Sequence, residues 1–384
     1  SALTRIGYDA EEAGFIAEHV LDAALCGYEY SGLPKILNVA EHRNLRRPRR
    51  VMRAVHETPA SAMFDGGNNV GMVTMVHAAR TAISKAQAHG FAVAGVNNSW
   101  VSGRGAHYVE MIANAGLIGL HTVSSTRHVA PPGGMRASFG TNPIACAFPT
   151  ADEPFVIDLG TSAFMSTDLL FRQRRGELLP EGVAIGPDGA PTRDPAAALE
   201  GAILPFGGYK GFALALMMQG FGVLAGSGTD IEKSYGYLVI AIKPDLLMPL
   251  DEYRRHLSAT LAEIKATPRR PDVGEIRLPG ERAQRERAQR ELRDEPRRSG
   301  EPHRERAERD EQDRGRERIA ERGLRRHDRE RHVGSGAPAV PVRRDRYSQT
   351  DRQQWDLGRG VCAQRFGCLC RRQRLVRRRR LPDL

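Results

Sequence analysis

Cysteine, aromatic residues and long apolar runs are all scarce in this chain of 384 residues. Of its 5 cysteines, only Cys26 and Cys146 precede the arginine-rich tail, and both have apolar neighbours. So sparse a set excludes the disulfide framework of a small secreted domain and favours a cytoplasmic protein. The other three lack the paired C-x-x-C spacing of zinc sites, so no metal is predicted. The longest apolar run, residues 212–224, contains Gln219 and is shorter than the roughly 20 residues that span a bilayer, so no membrane segment is predicted.

Lysine is absent beyond Lys265, where arginine alone supplies the positive charge. Residues 281–384 hold 31 arginines and 19 acidic residues, whereas residues 1–280 hold 26 basic and 27 acidic residues. The net charge of +11 therefore belongs to the tail, and the near-neutral body has no electrostatic reason to bind nucleic acid. Residues 282–384 have few apolar residues and are predicted to be disordered or an aberrant, out-of-register translation. A genuine arginine-rich arm that binds RNA is the alternative.

The body of the chain alternates predicted helices with predicted strands. Apolar residues recur at helical spacing over residues 10–26. Short apolar runs at residues 91–96 and 117–123 flank another helix, which is the order of a crossover unit. Two further strands are predicted at residues 144–148 and 155–159. This pattern predicts an α/β fold, in which ligands bind beyond the carboxyl ends of the strands.

A glycine-rich turn before an apolar helix is the most informative single stretch. Residues 204–228 read LPFGGYKGFALALMMQGFGVLAGSG, and from Phe212 the helix is apolar nearly all round, which predicts that it is buried. The glycines leave the N-terminal N–H groups of this helix open to an anion, and Lys210 adds a positive charge. A turn without any ligand is the alternative.

Four motifs follow one another along the body: NNSWVSGRGAHY, PPGGMRASFGTNPIACAFP, GPDGAPTRDP and LPFGGYKG. Together they resemble the malate/L-lactate dehydrogenase family of NAD(P)-dependent oxidoreductases, which includes ureidoglycolate and sulfolactate dehydrogenases, diketogulonate reductase and piperideine-carboxylate reductase. The similarity covers roughly residues 8–290. The resemblance implies a three-layer α/β/α fold with a mixed sheet, a nucleotide-binding fold other than the Rossmann fold. It also implies a small-molecule carboxylate substrate and a homodimer whose active site lies near the subunit boundary.

Four segments are expected within this arrangement. Residues 1–60 form an N-terminal helical region that contributes to the active site, and residues 61–245 form the mixed-sheet core that binds the cofactor. Residues 246–281 add a C-terminal helix and a closing segment. Residues 282–384 are the arginine-rich tail.

The resemblance also places the contacts to the cofactor, NAD or NADP, on three stretches. They are Gly160, Thr161, Ser162, Ala163, Phe164, Met165 and Ser166 after Asp158, then Lys210 and Gly211 in the glycine turn, and Gly280 and Glu281 in the motif LPGE. The two cofactors are not distinguished, because no acidic residue for the ribose and no arginine for a 2′-phosphate can be placed.

The chain departs from the family where a proton donor is expected. Ser31 occupies the place of the histidine in the family's Ser-His-Gly, Lys35 that of the arginine for the substrate carboxylate, and Val101 that of a second histidine. A serine hydroxyl is a poor acid near neutral pH. Lys35 is therefore a candidate for carboxylate recognition or proton delivery, with Tyr30 as an alternative donor and Arg104 as a replacement for the lost groups. An ordinary surface role for Lys35 is the alternative.

The predicted function is the NAD(P)-dependent interconversion of a small 2-hydroxy acid and its 2-oxo acid, with an atypical proton donor. Two alternatives stay open. Reduction of a cyclic imine such as piperideine- or pyrroline-2-carboxylate would relax the demand for a proton donor to oxygen. A catalytically silent homologue that keeps the cofactor pocket is the other alternative, and the loss of both histidines is the observation behind it.

Overall fold

The computed structural model describes residues 2–228 and 235–294. The strands within this part of the chain are β1 (Arg53–Thr58), β2 (Ser61–Val70), β3 (Phe91–Trp100), β4 (Ile118–Ser124), β5 (Ile144–Phe148), β6 (Phe155–Leu159), β7 (Ala184–Ile185), β8 (Ala202–Ile203) and β9 (Gly236–Ile242). The predicted strands at residues 144–148 and 155–159 match β5 and β6. Strands β7 and β8 pair only with each other.

Helices alternate with these strands through the body. They are α1 (Ala2–Arg5), α2 (Ala10–Leu25), α3 (Lys35–Glu41), α4 (Gly71–His89), α5 (Gly105–Asn114), α6 (Ser166–Arg175), α7 (Pro195–Glu200), α8 (Tyr209–Leu224), α9 (Leu250–Lys265) and α10 (Glu281–Asp294). Local sequence explains several of their ends. Helix α2 begins with a capping box between Asp9 and Glu12, and α4 ends at Gly90, whose φ of 85° favours glycine. None of the described helices is long and apolar enough to cross a membrane.

The main sheet has seven strands in the order β1-β2-β3-β9-β4-β5-β6. Only β2 and β3 pair in parallel, and every other neighbouring pair is antiparallel, so the predicted mixed sheet is confirmed. Strand β9 lies between β3 and β4 and is antiparallel to both. Strands β3 and β4 therefore run in the same direction, as in the predicted crossover through α5, but they are not neighbours.

Helices cover both faces of the sheet. On one face, a Cβ atom built on Gly119 of β4 would lie 3.0 Å from Cβ of Ile112 in α5. On the other face, Ser124 of the same strand lies against Gly222 of α8. Residues five apart on a strand point to opposite sides, so α5 and α8 are on different faces. This arrangement confirms the three-layer α/β/α fold.

Helix α8 has an apolar surface that the described part of the chain leaves exposed. Its buried residues are Gly211, Ala215, Met218 and Gly222. Leu216, Met217, Val223 and Leu224 are each 48% exposed or more. The prediction that this helix is buried is therefore wrong for half of its circumference.

The start of the predicted arginine-rich tail is helical in the structure. Residues 282–294 belong to α10, which packs on α2: the Arg290 Nη1 donates a hydrogen bond to the Ala24 carbonyl oxygen at 2.9 Å. Arginines at the start of this segment thus bind the body instead of forming a solvated run. The rest of the predicted tail, residues 295–384, lies outside the described residues, and the predicted division into four segments stays a prediction.

Candidate active site

A cavity of about 560 Å³ opens at the edge of the sheet where β3 and β4 end and β9 begins. Because β3 and β4 run in the same direction, the residues that follow both strands reach this edge together. The residues that line the cavity include Lys35, His42, Ser125, Thr126, His128, Met165, Ser166 and Tyr235. The cavity therefore lies beyond the carboxyl ends of strands, as expected for ligand sites in sheets of this class.

Lys35 is the buried cation of this cavity. It is the first residue of α3, is 4% exposed, and has no side-chain hydrogen bond or ion pair within residues 2–228 and 235–294. Burial alone lowers the pKa of its ammonium group to about 8. The preceding turn packs tightly on α2, because a Cβ atom on Gly32 would lie 3.0 Å from that of Ala24. The role predicted for Lys35 is therefore compatible with its position.

The structure separates Lys35 from the other predicted catalytic residues. Ser31 is buried in a short 3-10 turn and does not line the cavity. Tyr30 lines a different crevice, beside Asp168, and burial raises the pKa of its phenol well above the usual range. Arg104 is 7% exposed and lies outside the cavity lining. Their catalytic roles stay predictions.

Arg104 belongs to a buried network of charges. Its two terminal nitrogens lie 2.5 Å from Asp22 and 2.6 Å from Glu110, and Nη2 of Arg287 contacts the same two carboxylates at 2.6 and 2.9 Å. Burial alone would raise the pKa of Asp22, but a hydrogen bond from His107 and the two arginines hold it well below the usual range. The network joins α2, α5 and α10. A guanidinium with both ends paired in this way acts as a structural tie between helices.

The first two predicted cofactor segments lie side by side. The Ala163 N–H donates to the Leu204 carbonyl at 2.7 Å, and the Phe206 N–H donates to the Thr161 carbonyl at 3.2 Å. Glycine is needed at Gly211, where a Cβ atom would lie 2.2 Å from the Phe206 oxygen. Of these segments Met165 and Ser166 line the cavity, while Lys210 is exposed in the first turn of α8.

The third predicted cofactor segment lies against the start of β6. Gly280 has a φ of 84°, and a Cβ atom there would lie 2.5 Å from the Val156 oxygen. Glu281 begins α10 and forms an ion pair with Lys265. Because a side chain at Gly280 would collide with β6, this segment meets the sheet in close backbone contact.

Sequence reasoning missed the histidines of the cavity. His42 stacks on Trp100 with ring centroids 4.4 Å apart, and Nε2 of His128 lies 2.9 Å from Oγ1 of Thr126. Burial lowers the pKa of both imidazoles, that of His42 to about 4. Their position in the sequence could have indicated them, because Thr126 and His128 follow β4 closely and therefore lie at the edge of the sheet where ligands bind.

The fold is that of solved dehydrogenases. The structure of sulfolactate dehydrogenase from Methanocaldococcus jannaschii matches with a TM-score of 0.66 and 33% identity, covering 75% of this chain and 87% of that one. That of Δ1-piperideine-2-carboxylate reductase from Pseudomonas syringae matches with a TM-score of 0.67 and 31% identity, covering 76% and 90%. The class of protein is thus an oxidoreductase with this mixed-sheet fold.

Sequence comparison gives the particular family. The model of the malate/L-lactate dehydrogenase family matches residues 1–295. The L-sulfolactate dehydrogenase of M. jannaschii is 35% identical over 293 residues, 73% of this chain and 84% of that protein. Malate dehydrogenase of Pyrococcus abyssi is 32% identical over 302 residues, 73% and 83% of the two chains. The chain belongs to the malate/L-lactate dehydrogenase family, and a dehydrogenase family implies a nicotinamide cofactor.

Proposed function

We propose that this enzyme interconverts a small 2-hydroxy acid and its 2-oxo acid in the cavity that contains Lys35. The observation that carries the proposal is the buried ammonium group without a carboxylate partner. A buried charge without a counterion costs free energy, and a substrate carboxylate would supply the missing charge. Names of relatives support the substrate class, since sulfolactate and malate are both 2-hydroxy acids.

The proposed role of Lys35 is to bind the substrate carboxylate. An ammonium group offers three donors on a flexible stem, which suits a carboxylate without fixing a bidentate geometry. Because a bound anion favours the charged form, substrate binding is expected to raise the pKa of Lys35 from about 8. Ser31 and Tyr30 lie in the turn just before Lys35, and we propose that they support its position. For Arg104 we propose a structural role in the network of charges that joins the helices.

The cofactor is proposed to bind along the paired segments at residues 160–166 and 204–211. Helix α8 has Gly208 as its N-cap, without a side-chain cap, and apart from the adjoining residues no described atom lies within 4 Å of where a Cβ atom of Gly207 or Gly208 would be. Its first turn is therefore open to a pyrophosphate, and the Lys210 ammonium adds a matching charge. When bound, the nicotinamide supplies or accepts the hydride. NAD and NADP both fit this description, and Gly280 and Glu281 remain part of the proposed site.

A second copy of the chain is the proposed partner of α8. The exposed apolar face of this helix is larger than the scattered apolar residues of an ordinary surface, and such faces mark interfaces between proteins. Replacing Leu216 and Val223 by glutamate is expected to turn a dimer into a monomer in analytical ultracentrifugation. A monomeric wild type would contradict the proposal. The free thiols of Cys26 and Cys146 support a reducing compartment, and we propose a cytoplasmic location.

Turnover with a substrate panel tests the proposed reaction. Purified protein is mixed with NADH or NADPH and a set of 2-oxo acids, including pyruvate, oxaloacetate and sulfopyruvate, together with two cyclic imine carboxylates. Oxidation of the cofactor with a 2-oxo acid supports the main proposal, and oxidation only with imines supports the alternative. Tight cofactor binding by fluorescence without any turnover would instead indicate a catalytically silent homologue.

A further inference from the structure

The cavity contains imidazoles, but not at the positions where the family resemblance leads one to expect them. Those positions hold Ser31 and Val101, neither of which can donate a proton at neutral pH. A 2-oxo acid nevertheless needs a proton on its carbonyl oxygen when hydride reaches the carbon. The cavity lining offers two histidines as candidate proton donors, His42 and His128, which are distant from each other in the sequence.

His128 lies at the end of a hydrogen-bonded chain of side chains. Its Nε2 is 2.9 Å from Oγ1 of Thr126, and the Thr126 hydroxyl interacts with the phenol of Tyr235 closely enough to oppose the rise in pKa that burial gives that phenol. All three side chains line the cavity that contains Lys35. A chain of this kind can pass a proton, because each hydroxyl accepts one proton as it releases another.

The backbone holds His128 firmly in this place. Its N–H donates to the Phe139 carbonyl at 2.8 Å, and its own carbonyl accepts from the Ile203 N–H at 2.8 Å. The residue is thus fixed between two neighbouring segments although it lies outside the main sheet. A proton donor needs such support, since misplacement by about 1 Å is costly to catalysis.

His42 is less suited to the same task. Its Nδ1 accepts a hydrogen bond from the Asn44 N–H at 3.2 Å, and one ring face stacks on Trp100. Burial lowers the pKa of both imidazoles, so the two histidines are distinguished by these contacts and not by the direction of their pKa shifts. Lys35, another titratable group of the cavity lining, is assigned to the substrate carboxylate.

We propose that His128 and Thr126 form the proton relay that serves the substrate oxygen, with Tyr235 as the residue that positions the Thr126 hydroxyl. This inference rests on the proposed 2-oxo acid reduction. An N–H bond breaks at His128, the Thr126 hydroxyl takes that proton as it gives up its own, and an O–H bond forms on the substrate. The electron pair at carbon arrives with the hydride. Oxidation of the hydroxy acid runs the same path backwards.

The relay predicts a direction for the effect of pH. Burial lowers the pKa of His128, so near pH 7 its neutral form predominates and accepts the proton of a hydroxy acid. Reduction needs the protonated form, so its kcat falls as pH rises through the pKa of His128. The other titratable or charged groups that line the same cavity are Lys35, Glu41, His42, Arg43, Arg127, Arg174, Tyr235 and Tyr237. Only a change in the pH profile of kcat that is specific to His128 variants therefore reports on this imidazole.

The test uses full-length protein and the 2-oxo acid that the wild type reduces best. His128→Gln and Thr126→Val are each expected to lower kcat at least 100-fold with KM changed less than about threefold, the usual scale of acid–base catalysis. Thr126→Ser keeps the hydroxyl and should restore kcat to within about threefold, while Tyr235→Phe should cost roughly tenfold. His256→Gln, which removes an exposed imidazole on α9, is the matched control.

A second readout does not depend on turnover. In protein labelled with 15N-histidine, Thr126→Val should shift the imidazole signals and the pKa of His128, because the hydrogen bond to Nε2 is lost. Unchanged signals would overturn the relay, as would full kcat and an unaltered pH profile in His128→Gln. A wild type that reduces cyclic imines but no 2-oxo acid also overturns the relay, yet leaves a redox function standing. A wild type inert with the whole panel overturns both proposals.

Discussion

Lys35 and Arg104 are both buried cations, 4% and 7% exposed, but they differ in what balances their charge. Arg104 has carboxylates at both ends of its guanidinium, from Asp22 and Glu110. Lys35 faces a cavity and has no such partner among the described residues. The difference teaches that burial of a charge does not by itself mark a functional group. A charge whose partner is missing is the stronger indication, because the fold alone would not retain it.

The largest expected effect follows removal of the unpaired charge. Lys35→Met keeps much of the side-chain volume and should lower kcat/KM for a 2-oxo acid roughly thousandfold, because losing one member of a buried charge pair costs about 2–5 kcal/mol. Steady-state kinetics with the best substrate measure this. Lys243→Met, which removes a half-exposed lysine paired with Asp245, should stay within twofold of the wild type. Full activity of Lys35→Met would show that the two buried cations do not differ in function.

The paired charge should matter to stability instead. Arg104→Met leaves Glu110 with Arg287, and Asp22 with Arg287 and His107, and is expected to lower the free energy of unfolding by about 3 kcal/mol. Urea unfolding followed by circular dichroism gives the value. Arg53→Met, whose side chain is 71% exposed, should cost less than about 0.5 kcal/mol. Equal losses in the two variants would contradict the structural role of the network.

The pH dependence of stability sharpens the contrast further. Lys35 has a pKa of about 8 in the folded protein and an ordinary value of 10.5, so the folded chain loses this proton first. The cost of the buried charge is complete below pH 8 and is relieved as pH rises from 8 to 10.5. Relative to Lys35→Met, the substrate-free wild type should therefore gain about 3 kcal/mol across that range. Denaturant unfolding at pH 7 and pH 10.5 measures the gain, and parallel curves for the two proteins would refute it.

The smallest expected effect concerns an exposed cation, which contrasts with both buried ones. Lys210→Ala should raise the Kd of NADH or NADPH about fivefold, since one solvated charge at a helix N-terminus contributes up to about 1 kcal/mol. Fluorescence titration at low salt measures the change, and added salt should shrink it. Lys243→Ala is the control. An unchanged Kd would place the pyrophosphate elsewhere.

Local patterns in the sequence predict many of the helices and strands but not the order in which the strands pair in the sheet. Strands β5 and β6 and the glycine end of α4 follow from short-range patterns. The insertion of β9 between β3 and β4 does not, because strand pairing across distant residues leaves no local mark. The exposed face of α8 was misread for a related reason: an apolar pattern is the same whether the chain itself or another copy covers it.

The residues of the candidate site also differ in how far the sequence alone indicates them. Lys35 was found because it stands in a recognisable motif. The sequence does not show that Arg104 shares the carboxylates of Asp22 and Glu110 with Arg287, because Asp22 and Arg287 are both distant from Arg104 along the chain. His128 was passed over, since its significance depends on contacts with Thr126 and Tyr235 that only the fold creates. The sequence thus located a motif residue but could not show contacts between groups that are distant along the chain.

The central position of β9 has a consequence for synthesis. Strands β1 to β6 leave the ribosome long before β9. Until β9 is synthesised, β3 and β4 each have an unpaired edge where β9 will bind. Open edges of this kind favour aggregation, and late long-range pairing slows folding. Overproduced protein is therefore expected to need chaperones or slow expression until β9 closes the gap.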